Sequence, residues 1–133
     1  AGPKEFIEKA RRCRKILGGG MRQAGILAAA GIVALEKMTK RLAEDHEKAR
    51  KLAQGLSGIP GLDIDMSTVQ SNMVLVGTKG TGMDASGFAS LMKSHRLLFN
   101  PSTQYKVRMV TRNDVGFDDI DEAIRRVKEA LSA

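Results

Sequence analysis

The sequence predicts an α/β (α+β) chain in which long helices lead into a small mixed or antiparallel sheet with further helices packed on it. Three observations predict it. Apolar residues over positions 1–57 recur at helical spacing, with no strand-like alternation. The cluster Gly58, Pro60 and Gly61 then breaks the pattern, and short runs of alternating or continuous apolar residues follow. The links between those runs are short and only some hold a helix, which favours antiparallel pairing.

Residues 4–17 predict a first helix, with Phe6, Ala10, Cys13 and Leu17 on one face and the three glycines at 18–20 ending it. Residues 24–35 (AGILAAAGIVAL) hold twelve positions without a polar side chain. A surface helix would show a polar face, so this one is expected to be buried on all sides. A chain of 133 residues has little material for that, and the cover is expected from another subunit or from sequence outside these residues. Residues 39–57 predict a third helix, with Leu42, His46, Ala49, Ala53 and Leu56 on its stripe.

After the break, Leu62, Ile64 and Met66 alternate with aspartates as on a half-buried strand, and residues 72–76 (NMVLV) read as a short apolar strand. A helix over 84–95 buries Phe88, Leu91 and Met92 and leads to a short strand at 97–99. Residues 105–111 predict one more strand. The last helix carries Phe117, Ile120, Ile124, Val127 and Leu131 at helical spacing, with Asp118 or Asp119 near its N-terminus, where free backbone donors favour acids.

Composition limits the possible functions. With 42% hydrophobic and 28% charged residues the chain is of ordinary globular type. No apolar run reaches the roughly 18–20 residues of a membrane span, and the opening AGPKEFIEKARRCRK lacks the apolar core of a secretory signal. Cys13 is the single cysteine, which excludes an internal disulfide or a multi-cysteine metal site and fits a reducing compartment, the cytoplasm or the mitochondrial interior. The net charge of +7 is concentrated at the start, where seven basic residues face only Glu5 and Glu8 over residues 1–22. Such a cluster calls for an anionic partner. Aromatics make up 4% of the chain, few platforms for base stacking, so nucleic acid is not the expected partner.

Two glycine-rich segments bear on chemistry. In residues 15–23 (KILGGGMRQ), three glycines stand between Lys15 and Arg22, which lets backbone amides and two cations approach an anion. Spacing alone leaves a plain helix–helix turn equally open. Residues 77–82 (GTKGTG) lack the order of a phosphate loop and read as a solvated connection. His46 and His95 lie far apart without metal-ligand partners. His46 reads as a packed, locally hydrogen-bonded residue and His95 as a surface one.

Residues 11–35 (RRCRKILGGGMRQAGILAAAGIVAL) closely resemble the low-specificity L-threonine aldolases. Asp45-His46, residues 71–76 (SNMVLV) and residues 107–111 (VRMVT) follow in the order of that family. The likeness is most specific over 11–35 and weaker over 58–105. It implies the C-terminal part of a pyridoxal 5'-phosphate (PLP)-dependent, fold-type I, transferase-like fold. In that scheme residues 1–22 are the end of the cofactor-binding large domain, 23–57 are connecting helices, and 58–133 form a small domain. The implied reaction splits threonine or allo-threonine into glycine and acetaldehyde. Arg108 matches the arginine that binds the substrate α-carboxylate, and Lys15 and Arg22 match cations near an active site shared between subunits of a dimer or tetramer. Two positions depart from the pattern, Arg112 where a histidine is common and Cys13 where an aromatic is frequent. The lysine that bonds PLP is expected ahead of residue 1. This chain's own lysines read as solvated, so no catalytic residue is assigned here and the chain alone is expected to be inactive. Two other classes remain as alternatives: a non-catalytic basic interaction module centred on residues 1–22, and an oligomerisation domain built on residues 24–35.

Overall fold

A computed structural model describes residues 1–132, which fall into two compact units, one over Ala1–Thr39 and one that begins at Lys40. The first unit holds helices α1 (Lys4–Ile16) and α2 (Gly25–Glu36). The second holds α3 (Leu42–Ser57), strand β1 (Met73–Gly77), α4 (Ala85–Ser94), β2 (Asn100–Thr103), β3 (Lys106–Val110) and α5 (Phe117–Ser132). The boundary at Thr39 precedes the change of texture at Gly58. The reason is that α3 buries Ala49, Leu52, Ala53 and Leu56 in the same core as the sheet and α5, so it belongs with the small unit rather than with α2.

The three strands form one antiparallel sheet in the order β1-β3-β2. Its inward side chains are Val74 and Val76 of β1 and Val107 and Met109 of β3, packed with Phe88 and Met92 of α4 and Ile120 and Val127 of α5. The residues between them, Met73, Leu75, Arg108 and Val110, are exposed. Period-two alternation thus gives the sheet one dry face under the helices and one open face. Pro101 is tolerated because β2 is an edge strand, and the register shifts between Pro101 and Thr103.

Local chemistry accounts for the helix ends. Asp84 accepts from the Gly87 amide at 2.7 Å to cap α4, and Asp119 accepts from the Gly116 amide at 2.8 Å at the start of α5. α4 ends with Arg96 in the left-handed region (φ 60°), while the amides of Arg96 and Leu97 donate to Lys93 and Met92 carbonyls, each at 3.0 Å. This exit corrects one expectation. Residues 97–99 are not a strand but the return from the helix, with Phe99 packed 5.7 Å from the Phe88 ring centroid, and pairing begins only at Asn100.

The expected strand over 62–66 is also reduced, to a single bridge between Asp63 and Gly77. The Asp65 carboxylate captures the Ser67 amide at 2.9 Å and its hydroxyl at 2.6 Å, which starts a 3-10 turn at Met66. The same two bonds hold the Asp65 carboxyl below its ordinary range.

The segment 77–82 has a structural purpose. A Cβ on Gly80 would lie 2.8 Å from the Gly61 carbonyl oxygen and 2.9 Å from Gly61 Cα, so two backbones meet where only glycine fits. Gly80→Ala is expected to lower stability by about 1–3 kcal/mol, seen as a lower urea midpoint. Gly58→Ala, whose added Cβ meets nothing closer than 3.9 Å, serves as the neutral control.

On α5, Glu122 accepts from Arg125 and Arg126 at 2.6 and 2.8 Å. Those bonds, Arg125 first, hold its carboxyl down to about 2. Because the folded value is depressed, the contribution to stability is present above the ordinary carboxylate range and is lost as pH falls through about 2. A carboxylate NMR titration is expected to place the Glu122 midpoint near 2, and Arg125→Gln is expected to raise it.

Candidate functional site

Arg108 sits at the middle of β3, the central strand. Its Cα is in register with Leu75 on one side and Asn100 on the other. Its neighbours Val107 and Met109 are buried and anchor the strand, while Arg108 itself projects from the open face. Among the described residues it has no ion-pair partner and no side-chain hydrogen bond. It lines a shallow cleft with Leu98, Phe99, Asn100, Val110 and Arg112. A planar fork of donors on a rigid strand, free of competing carboxylates, is chemically suited to a carboxylate.

Lys15 and Arg22 lie in the first unit. α1 ends with Gly18 in the left-handed region (φ 80°), where the Gly18 amide donates to the Lys15 carbonyl at 3.2 Å and the Gly19 amide to the Arg14 carbonyl at 2.7 Å. This is a helix-capping turn. Gly19 must be glycine because its Cβ would lie 2.8 Å from the Arg14 carbonyl oxygen. The Gly20 amide donates to Gly18 at 2.8 Å. All three glycine amides are therefore engaged within the turn, which favours the plain turn of the two readings left open by the spacing. What remains for an anion is side-chain charge. The Lys15 ammonium lies over Gly20, 3.0 Å from where a Cβ would be, and Lys15 and Arg22 are exposed. Neither forms an ion pair among the described residues. A shallow depression beside the turn is lined by Arg14, Gly18–Gly20, Met21, Ala24 and Leu27, so Arg14 rather than Lys15 borders it.

Lys48 corrects the expectation that every lysine is solvated. It is 4% exposed, and its ammonium donates to Asp45 at 3.3 Å and to the Arg112 carbonyl at 3.4 Å. Thr111, 1% exposed, donates its hydroxyl to the Asp45 carbonyl at 2.7 Å. Asn72 donates from its side chain to the Thr111 carbonyl at 2.9 Å. Together these bonds fasten the end of β3 to the start of α3. The signal for Lys48 was its place one turn ahead of Leu52 and two ahead of Leu56. Asn100 was missed because the strand was expected to stop before it. His46 is half-buried but makes no side-chain hydrogen bond among the described residues, and His95 is half-buried rather than fully at the surface. Among the described residues no group able to hold a metal occurs, and no helix there is long and apolar enough to cross a membrane.

The fold has close counterparts among solved structures. A NifS-like protein superposes with a TM-score of 0.65 at 16% identity, covering 75% of this chain and 30% of that one. The aspartate aminotransferase from Rhizobium meliloti gives 0.56 at 21% identity, covering 78% and 30%. These likenesses show that the chain shares the fold of the matched part of each of those proteins. The family model described as beta-eliminating lyase matches residues 1–79, and the chain belongs to that family. It is 32% identical over 131 residues to low-specificity L-threonine aldolase 1 of Arabidopsis thaliana, which covers 98% of this chain and 37% of that protein. It is 40% identical over 121 residues to the low specificity L-threonine aldolase of Escherichia coli K12, covering 91% and 34%. The resemblance read from residues 11–35 and 107–111 is thus borne out. The chain spans about a third of the length of these relatives.

Proposed function

We propose that this chain is the substrate-carboxylate arm of a PLP-dependent aldolase that cleaves β-hydroxy-α-amino acids, threonine and allo-threonine among them, to glycine and an aldehyde. The observation that carries the proposal is Arg108, an unpaired guanidinium on a central strand, open to a cleft without carboxylates. The similarity to threonine aldolases supports it.

The residues present fit the cofactor's chemistry in a limited way. Lys15 and Arg22 are exposed cations suited to a phosphate or another anionic group at a site shared between subunits. When bound, PLP supplies an electron sink for the Cα–Cβ bond as it breaks. Arg108 holds the α-carboxylate and so fixes the direction of the bond to be broken. No side chain lining the cleft is a base, so the proton of the β-hydroxyl is taken by a group elsewhere. Lys48 is committed to Asp45 and Arg112 and is not a candidate to bond the cofactor. The isolated chain is accordingly expected to be inactive.

α2 bears on assembly. It buries no residue, and Ile26, Leu27 and Leu35 are 83%, 64% and 73% exposed. Apolar surface of that extent marks a contact, and in this reading it is covered in a cytoplasmic homo-oligomer, a dimer or tetramer.

The test is the product pattern of the full-length protein on L-threonine. Aldol cleavage gives equimolar glycine and acetaldehyde. β-Elimination, the chemistry in the family's description, would give 2-oxobutanoate and ammonia instead, and that outcome would overturn the aldolase reading.

A further inference from the structure

The open face of the sheet carries a second cation that the reading above leaves unused. Arg108, Val110 and Arg112 follow at two-residue spacing along β3 and its continuation, so they share one side of the chain. All three line the same cleft with Leu98, Phe99 and Asn100, and no acidic side chain is among the six. At about 3.3 Å per residue the two arginine Cα atoms stand roughly 13 Å apart, a gap that two long side chains close to the size of a small diacid. Val110, 42% exposed, forms an apolar floor between them.

The main chain of Arg112 is anchored, whereas its side chain is exposed and held by one solvated ion pair. Its carbonyl accepts from the buried Lys48 ammonium at 3.4 Å and from the Val115 amide at 3.0 Å. The guanidinium pairs with Asp114 at 3.1 Å, with the two side chains 68% and 65% exposed. An ion pair so wet is weakly held, and a carboxylate arriving with a ligand can replace Asp114.

Resting on the aldolase reading, we infer that Arg112 determines specificity by binding a second carboxylate. The substrates favoured over threonine are then β-hydroxy-α-amino acids with a carboxylate on Cβ, of which 3-hydroxyaspartate is the simplest. Arg108 takes the α-carboxylate and Arg112 the side-chain carboxylate. Cleavage breaks the Cα–Cβ bond, Cα gains a proton, and the hydroxyl on Cβ loses its proton as that carbon becomes an aldehyde. The products are glycine and glyoxylate, with no oxidant or reductant required.

Two measurements on the full-length protein test the inference. By calorimetry, succinate is expected to bind at least about tenfold more tightly than butyrate, the advantage of one added charge-assisted pair. Arg112→Gln should abolish that difference, and Asp114→Asn should widen it. Equal binding of the two acids by the wild type, or a difference that survives Arg112→Gln, overturns the inference. In the second measurement the ratio of kcat/KM for 3-hydroxyaspartate over threonine is expected to fall about tenfold in Arg112→Gln. Cleavage of threonine without cleavage of 3-hydroxyaspartate defeats the inference and leaves the aldolase reading intact. If neither is cleaved while succinate binding still depends on Arg112, the dianion cleft stands and the aldolase reading falls.

Discussion

Arg108→Ala in the full-length enzyme is expected to raise the KM for threonine by roughly 30- to 150-fold, the loss of about 2–3 kcal/mol from a charge-assisted, bidentate contact. The size of the effect follows from the position of the residue. β3 is hydrogen-bonded on both sides, by β1 and β2, and its alternate residues are sealed in the core. The guanidinium therefore meets a carboxylate with little ordering left to do. Arg108→Lys keeps the charge but loses the fork, and is expected to fall between wild type and alanine. Because Arg108 is exposed and unpaired, neither substitution should alter the near-UV circular dichroism. An unchanged KM in Arg108→Ala would remove the residue from the site.

The second large effect concerns stability. Phe88 is fully buried where α4 meets the sheet, with Phe99 beside it. Phe88→Ala is expected to cost about 3–5 kcal/mol, because the removed ring leaves a cavity that the surrounding core only partly fills. Domains of this kind are stable by only about 5–15 kcal/mol, so the variant should be close to unfolding at room temperature and show a sharply lower urea midpoint. Phe88→Leu, which keeps most of the volume, should cost far less. A small shift for alanine would mean that the core around α4 is looser than its burial implies.

The helices were legible because their signal is periodic and repeated. Ile120, Ile124, Val127 and Leu131 mark α5 several times over, and Asp119 caps it as its position suggested. The strand β1 was legible as a short apolar run, NMVLV, and β3 lies within the strand expected over 105–111. Two short strands were misplaced by single side chains that act on the backbone. Asp65 captures the Ser67 amide and turns the chain away, and Arg96 adopts a left-handed conformation that periodicity does not reveal. The burial of Lys48 was hidden by its charge, since its partners at Asp45 and Arg112 meet it only in the folded chain.

The site was legible in a different way. From spacing alone Arg108 is an exposed strand residue beside Lys106, and only the likeness over residues 107–111 gave it a role. The glycines at 18–20 carried both an anion-binding and a capping reading. Local hydrogen bonds decide for the cap, because a turn whose amides bond its own carbonyls has no donors left for a ligand.

The aldolase reading is tested by treating the PLP-loaded full-length protein with borohydride, which fixes the cofactor to the lysine that holds it, and then mapping the labelled peptide. The expected result is a visible absorbance that is lost on reduction together with threonine cleavage, and a labelled lysine outside residues 1–133. A label on Lys15, Lys48 or any other lysine of this chain, or threonine cleavage by protein that binds no PLP, would contradict it.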